Sequence, residues 1–347
     1  MSLQATIAKL LLKLPDSWLV KLAGGKPVEI GGRVLDPHFQ FIAHGAANQP
    51  PMSSGTAQQG RSASAVGLAM FQPAAEPGVS WEDFALEAPG REIPVRLYRP
   101  DNQDPGAPMM VFYHFGGGVI GDLETCHVFV TMIASIVRCP VLSVDYRLAP
   151  EHKWPAGLED CEFAYEWALK NAEKYGAPAG EAAIGGDSMG GNFSAIIAQE
   201  TKRNGIPMPV LQLLIYPATD ISEELPSREI YGETYPLSTD TMNWFMSHYL
   251  PEGTDPADLR VSPAQEMNLE GLPPAIVITA GFDPLVDEGK AYAERLDAAG
   301  VDTVFKCYDR LAHGFTAFTG ASPASDKACR EIAGMVRDAY ARRSAGA

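Results

Sequence analysis

The chain has 347 residues, of which 46% are hydrophobic and 20% charged, and its formal net charge is −16. This composition is typical of a globular protein with a large core, and the negative charge disfavours nucleic acid and anionic membranes as partners because phosphate groups bind clustered lysine and arginine. No apolar run approaches the ~18 residues needed for a membrane span. The five cysteines are scattered without a C-x-x-C pair, so we expect free thiols rather than disulfides or a zinc site.

The N-terminal region predicts helices and then a flexible connection. Residues up to about Phe41 carry apolar side chains at helical spacing and predict two short helices. The first is amphipathic rather than a signal peptide, so we expect a cytoplasmic protein. The segment 49–62 is rich in proline, serine, glycine and glutamine without an apolar period, which predicts a mobile connection. We place N-terminal cap helices and a linker in residues 1–55.

From Trp81 onward, strand and helix patterns alternate. Segments near residues 84–98 alternate apolar and polar residues, as half-exposed edge strands do, whereas later apolar runs are typical of buried parallel strands. The predicted buried strands are 109–113, 141–144, the strand that ends at Gly185, 210–216, 275–280 and 303–308. Helical patterns separate them, which predicts an α/β fold with a mostly parallel sheet covered by helices on both faces.

One segment interrupts this alternation. Residues 220–258 separate two predicted strands, are too long for a plain connection and are rich in aromatic side chains. We predict a helical insertion over the carboxyl ends of the strands that lines a pocket, although an ordinary solvent-facing helix pair is an alternative. The hydrolytic core would then consist of residues 56–219 and 259–347.

The strongest chemical signal is a G-x-S-x-G sequence centred on Ser188, between a strand pattern and a helical pattern. A sharp strand–turn–helix of this kind holds the serine hydroxyl at the positive end of the helix. Gly186 and Gly190 flank the turn because side chains there would collide as the strand folds back. The pattern predicts a nucleophile, and the alternative is a serine that only caps the helix.

A serine nucleophile needs a base, and the base needs an orienting carboxylate. In a parallel sheet both should follow later strands, because strands end at a shared edge. Asp283 directly follows the predicted strand 275–280, and His313 lies a few residues after the strand 303–308. The chain order Ser188, Asp283, His313 is the one expected when three such loops meet above one sheet.

Other residues compete for these roles. Asp220 follows the strand 210–216 and is the main alternative acid, whereas Asp287 lies one helical turn beyond Asp283 and should point elsewhere. His152 and His248 lie before a helix or inside the insertion, where structural roles are more typical.

Acyl transfer also requires donors for the developing oxyanion. One should be the backbone N–H of Met189, directly after the nucleophile. The others should come from the glycine-rich segment 114–118, which follows a buried strand and can turn successive N–H groups toward a substrate oxygen. This segment lacks the Lys-Ser/Thr ending of a P-loop and the G-x-G-x-x-G spacing of a dinucleotide site.

Five segments together resemble the hormone-sensitive-lipase-like branch of the α/β-hydrolases, the bacterial family IV esterases. They are residues 113–122, 145–152, 186–192, 283–289 and 313–315. The resemblance implies an α/β-hydrolase fold with an eight-stranded, mostly parallel sheet and a helical cap. It also implies a carboxylic ester hydrolase that needs no cofactor or metal.

The resemblance further implies a role for seven residues. The implied catalytic triad is Ser188, Asp283 and His313; the implied oxyanion donors are the N–H groups of Gly116, Gly117 and Met189; and His114 braces the oxyanion loop. The family usually has glycine where Phe115 stands, an aromatic residue where Gly118 stands, and often alanine in place of Met189. We therefore expect a glycine-like backbone at Phe115 and a roomier pocket beside Gly118.

These features predict a serine carboxylesterase that acts through an acyl-enzyme on short- to medium-chain esters. Two alternatives keep the same machinery: an amidase, or a hydrolase specific for one metabolite. A third is a ligand-binding receptor on this fold without catalysis, although such receptors usually lack a triad residue. The last strand is a sheet edge, and edges of this kind can pair between subunits, so a homodimer is one option for the assembly.

Overall fold

The computed structural model describes residues 7 and 9–346 of the chain. The strands among these residues are β1 (Glu29–Ile30), β2 (Arg33–Val34), β3 (Val79–Ala88), β4 (Arg91–Pro100), β5 (Met109–Tyr113), β6 (Val141–Val144), β7 (Ala182–Asp187), β8 (Gln212–Ile215), β9 (Ala275–Phe282) and β10 (Thr303–Ala312). The main helices are α1 (Asp16–Leu22), α2 (Pro37–Ala46), α3 (Ala57–Phe71), α4 (His127–Ile133), α5 (Ala156–Asn171), α6 (Met189–Asn204), α7 (Pro226–Ile230), α8 (Thr239–Tyr249), α9 (Val286–Ala298) and α10 (Pro323–Gly346).

Strands β3 to β10 form one eight-stranded sheet in the spatial order β10-β9-β8-β7-β5-β6-β4-β3. The pairs from β6 through β5 to β10 are parallel, whereas β4 pairs antiparallel with both β3 and β6. Every residue of β5, β6, β7 and β8 is buried, which explains their continuous apolar sequences, since helices cover both faces. The predicted mostly parallel α/β sheet is confirmed, and β3, β4, β9 and β10 are longer than the sequence patterns indicated.

The N-terminal region contains two predicted helices, α1 and α2, and a hairpin between them that the sequence did not reveal. The hairpin pairs β1 with β2 over only two residues each, too short for an alternating pattern to be read. The start of the predicted first helix, residues 1–6 and residue 8, lies outside the described residues.

The prediction of a mobile connection over residues 49–62 is wrong, because α3 begins inside it. Thr56 and Gln59 form a capping box: the Thr56 side chain accepts from the Gln59 N–H, and the Gln59 side chain accepts from the Thr56 N–H. Tertiary contact adds to this local signal, since the Trp244 indole donates to the Gly55 carbonyl at 3.0 Å. The apolar period was missed because the α3 side chains that pack against the core are few: Ala57 at its start and Leu68 and Phe71 near its end.

The segment 220–258 contains α7 and α8. From α8, Phe245 packs over Gly117 and Tyr249 over Gly118, so this helix lies against the glycine-rich loop that follows β5. α7 contacts the loop after β9 through Ser227, whose hydroxyl donates to the Pro284 carbonyl. Among the described residues, none of the helices is long and apolar enough to cross a bilayer.

Candidate active site

Ser188 occupies the sharp turn between β7 and α6. Its backbone is strained, with φ 55° and ψ −114°. Gly186 and Gly190 permit this turn: a Cβ on Gly186 would overlap the backbone of Gly190, and one on Gly190 would overlap the carbonyl of Tyr113. The Ser188 N–H donates to the Ile215 carbonyl at 2.9 Å, which fixes the turn to the neighbouring strand β8.

The structure brings Ser188, His313 and Asp283 together although they are far apart in sequence. The Ser188 Oγ lies 2.9 Å from His313 Nε2, and His313 Nδ1 lies 2.7 Å from Asp283 Oδ2. Asp283 is fully buried, and its other oxygen accepts from the Leu285 N–H at 2.9 Å. A carboxylate in this position accepts a hydrogen bond from the Nδ1–H and so leaves Nε2 free to accept the serine proton.

The competing residues are engaged elsewhere. Asp220 accepts from Ser222 and from the Gln265 amide, and Asp287 accepts from the Ser227 N–H. The His248 Nδ1 lies 2.9 Å from the Trp244 carbonyl. Within the described part of the chain, neither these groups nor His152 forms a hydrogen bond with Ser188 or His313.

α7 contacts the loop that carries Asp283, a contact that the sequence gave no means to predict. Besides the Ser227–Pro284 bond, the Arg228 guanidinium donates to Glu288 at 2.9 Å. Glu288 also accepts from the Thr219 N–H at 2.8 Å, and burial raises its pKa to about 7. The insertion is thus tied to the first turn of α9, directly after Asp283.

The glycine-rich loop lies beside Ser188 and has the left-handed backbone that favours glycine. Gly116, Gly117 and Gly118 have φ of 128°, 62° and 71°, values that side chains rarely adopt. Gly116 and Gly117 line the same cavity as Ser188 and Met189. From α3, the Arg61 guanidinium donates to the loop carbonyl of Val119 at 2.9 Å.

Two expectations about this loop are wrong. Phe115 does not have a positive φ, so its backbone is ordinary, and its ring lines the cavity. Gly118 does not open the pocket, because a Cβ there would overlap the ring of Tyr249. The space of the usual aromatic residue is filled by a side chain 131 positions later, which a local motif comparison could not reveal.

His114 is buried beneath the loop. Its ring stacks on Tyr146 with centroids 4.3 Å apart, and its Nδ1 lies 2.7 Å from the Phe115 carbonyl. Burial lowers the pKa of His114 to about 4, so the ring is neutral at neutral pH. These contacts support the loop, and within the described residues His114 forms no hydrogen bond with Ser188.

Asp187 is a buried group that the sequence reasoning did not single out, although it lies within the serine motif. Its carboxylate accepts from the Tyr216 hydroxyl at 2.9 Å, from Thr316 at 2.8 Å and from the Cys126 thiol at 3.4 Å. Burial raises its pKa to about 6. The Tyr216 ring in turn packs against His313, with centroids 4.7 Å apart. The hydrogen-bond network of Asp187 therefore contacts His313 through Tyr216.

A cavity of about 1260 Å³ opens above Ser188. Its walls come from α2, α3, α8 and the segments near them, and its apolar lining includes Leu68, Phe71, Phe115, Phe245 and Phe318. Such a lining with a few convergent polar groups is typical of a site for a small apolar ligand.

Comparison with known proteins extends these observations. A model of the alpha/beta hydrolase fold family matches residues 110–317. The carboxylic ester hydrolase LipN of Mycobacterium tuberculosis is 39% identical over 308 residues, which cover 85% of this chain and 80% of the relative. An ethyl acetate hydrolase of Pseudomonas putida is 36% identical over 229 residues, covering 65% of this chain and 72% of the relative.

Solved structures of esterases share the fold. An ester hydrolase from the metagenome of Lake Arreo, solved with a derivative of bipyridine phosphonate, has a TM-score of 0.83 and 38% identity over 88% of this chain and 99% of its own. A thermostable esterase from Pseudomonas putida has a TM-score of 0.83 and 28% identity over 88% and 98% of the two chains.

Proposed function

Because the chain belongs to the hormone-sensitive-lipase-like branch of the alpha/beta-hydrolase family and is a carboxylic ester hydrolase, we propose that Ser188, His313 and Asp283 carry out its reaction. The continuous pair of hydrogen bonds from the serine hydroxyl through the imidazole to a buried carboxylate carries this proposal. His313 acts as base, Asp283 orients and stabilises it, and Ser188 is the nucleophile.

The reaction proceeds in two stages. Ser188 Oγ attacks the ester carbonyl carbon while His313 Nε2 takes its proton, and the backbone N–H groups of Gly116, Gly117 and Met189 stabilise the oxyanion. The carbon–oxygen bond to the alcohol then breaks, and His313 gives the proton to the leaving alcohol. Water, deprotonated by His313, cleaves the acyl-enzyme by the same route and restores the serine.

We assign short- to medium-chain esters as the substrate class. The apolar cavity supports this assignment, and so do the names of two relatives, an ethyl acetate hydrolase and an arylesterase. We also propose that the N-terminal residues 1–55 and the insertion 220–258 form the cap that encloses the substrate, together with α3, because parts of all three line the cavity.

The test is hydrolysis of p-nitrophenyl esters from acetyl to dodecanoyl by the wild type, by Ser188→Ala and by Ser62→Ala as the matched control. Ser62 is exposed on α3 and lies outside the cavity lining. Activity highest on the shorter chains, lost in Ser188→Ala and kept in Ser62→Ala is the expected result. Activity that survives in Ser188→Ala would refute the assigned nucleophile, and faster cleavage of matching anilides would favour an amidase.

We propose that the outer edge of β10 forms the contact of a homodimer. Among the strands that the structure describes, β10 pairs only with β9, so residues 303–308 present backbone groups without a strand partner on the other side. Sedimentation of the wild type and of Phe305→Pro, which removes one backbone donor at this edge, tests the proposal. A monomeric wild type would refute it.

A further inference from the structure

Exposed large apolar side chains concentrate in the N-terminal segment. Ile7, Leu10, Trp18 and Leu22 have exposed fractions of 47%, 60%, 55% and 46%. Trp18 and Leu22 are four residues apart on α1 and therefore share one face of the helix. Leu19, on an adjoining face of the helix, is fully buried and anchors α1 to the protein. This set of exposed side chains from residues 7–26 is named the N-terminal face below.

The charge of the same segment is opposite to that of the whole chain. Residues 7–26 contain four lysines, Lys9, Lys13, Lys21 and Lys26, against the single acidic residue Asp16, whereas the chain carries −16. The Lys21 ammonium lies 5.6 Å from the centroid of the Trp18 ring, so a positive charge accompanies the exposed indole. The nearest acidic residue that follows is Glu29, in the hairpin.

The N-terminal face continues directly into the wall of the cavity above Ser188. Ala23, at the end of α1, and Val28 and Ile30, in the segment that follows, line that cavity. A surface held by the N-terminal face would therefore lie beside the cavity that binds the substrate.

We propose that the N-terminal face docks the protein on an anionic lipid bilayer. Tryptophan and leucine enter the region between headgroups and acyl chains, while lysines of the same segment contact anionic headgroups. The net charge of the whole chain argued against such a partner, but screening limits each charge to about 8 Å at physiological ionic strength. The lysines of the N-terminal face therefore decide the contact, and the acidic residues elsewhere are screened.

The test is flotation of the full-length protein with vesicles of phosphatidylcholine alone or with about one-third phosphatidylglycerol. We expect binding to the anionic vesicles that weakens with added salt. Replacing both apolar groups, Trp18→Glu with Leu22→Glu, should lower the partition coefficient at least about tenfold. Lys21→Gln should lower it about fivefold without changing the apolar surface.

Matched controls separate docking from general effects of charge. Met267→Glu changes another exposed apolar residue, 86% exposed, and Lys170→Gln changes another exposed lysine; both should bind as the wild type does. Unchanged hydrolysis of a water-soluble ester by every variant reports intact folding. Because the readout is binding, the result does not depend on the reaction assigned to Ser188.

Two outcomes would overturn the proposal. One is a wild type that does not float with anionic vesicles. The other is that the wild type forms a concentration-dependent dimer, that Trp18→Glu with Leu22→Glu abolishes this dimer, and that no variant floats. The N-terminal face would then be covered by a second copy of the chain.

Discussion

Glycine is required by close packing in the turn that carries Ser188, whereas a glycine in the cavity wall has open space around it. At Gly190 a Cβ would overlap the Tyr113 carbonyl, whereas a Cβ on Gly67, in α3, would meet nothing within 4 Å. The turn is thus held by backbone packed on backbone, which leaves no room for change. The wall is made by side chains around open space, so it can change without disturbing the turn. This difference separates the residues that fix the chemistry from those that shape the pocket.

The largest effect should follow from a change at Asp283, the proposed triad acid. Asp283→Asn keeps the size of the side chain but reverses the hydrogen bond that selects the imidazole tautomer, so kcat should fall about ten-thousandfold with little change in KM. Asp220→Asn, the matched change at the alternative acid, should leave kcat within a few fold. Steady-state kinetics on one p-nitrophenyl ester decide between them, and a greater loss in Asp220→Asn would reassign the acid.

The same substitution at Gly190 and at Gly67 tests this difference directly. Gly190→Ala forces a methyl group into the Tyr113 backbone and should lower the free energy of unfolding by at least about 3 kcal/mol. Gly67→Ala should instead raise it by up to about 1 kcal/mol, because alanine favours a helix and nothing obstructs its methyl group. Urea denaturation measures both, and equal effects would contradict the comparison.

A pH dependence should reveal the buried carboxyl beneath the turn. The pKa of Asp187 is raised from 3.8 to about 6, so the folded protein holds this proton more tightly than the unfolded chain does. The folded state therefore loses stability as pH rises through this range, by about 3 kcal/mol once Asp187 has ionised. Asp187→Asn does not ionise, so its stability relative to the wild type should increase between pH 4 and pH 7.

The comparison with Asp187→Asn removes the influence of other buried acids. Burial also raises the pKa of Asp145 to about 6, but this group titrates equally in both proteins and cancels in the difference. Denaturation at a series of pH values gives that difference. A difference that stays constant with pH would contradict the assigned environment of Asp187.

The smallest effect should be a change of substrate range at the wall. Gly67→Phe would place a ring in the open part of the cavity and should lower kcat/KM for the bulkiest esters about tenfold while acetyl esters are unaffected. Gly118→Trp should lower stability rather than change the substrate range, because Tyr249 already fills that space. The chain-length profile of each variant tests this, and a profile unchanged in Gly67→Phe would remove α3 from the substrate site.

The sequence by itself indicated the parts of the candidate site that depend on local geometry. The turn around Ser188 could be predicted because its glycines are required by contacts within a few residues or with the adjacent strand. Asp283 and His313 could be placed because parallel strands end at one edge of a sheet, so residues just after them meet. The strand pattern likewise predicted the sheet, since buried parallel strands have continuous apolar sequences.

Only the tertiary structure decided the surroundings of that site. Tyr249 fills the space beside Gly118, and Thr316 and Tyr216 donate to Asp187. α3 begins inside the segment predicted as a mobile connection, and its later residues line the cavity. Each depends on side chains that are distant in sequence and meet only when helices and loops pack over the sheet. Periodicity and motifs describe which face of one element is buried, whereas the shape of a cavity depends on which side chains of several elements share the same space.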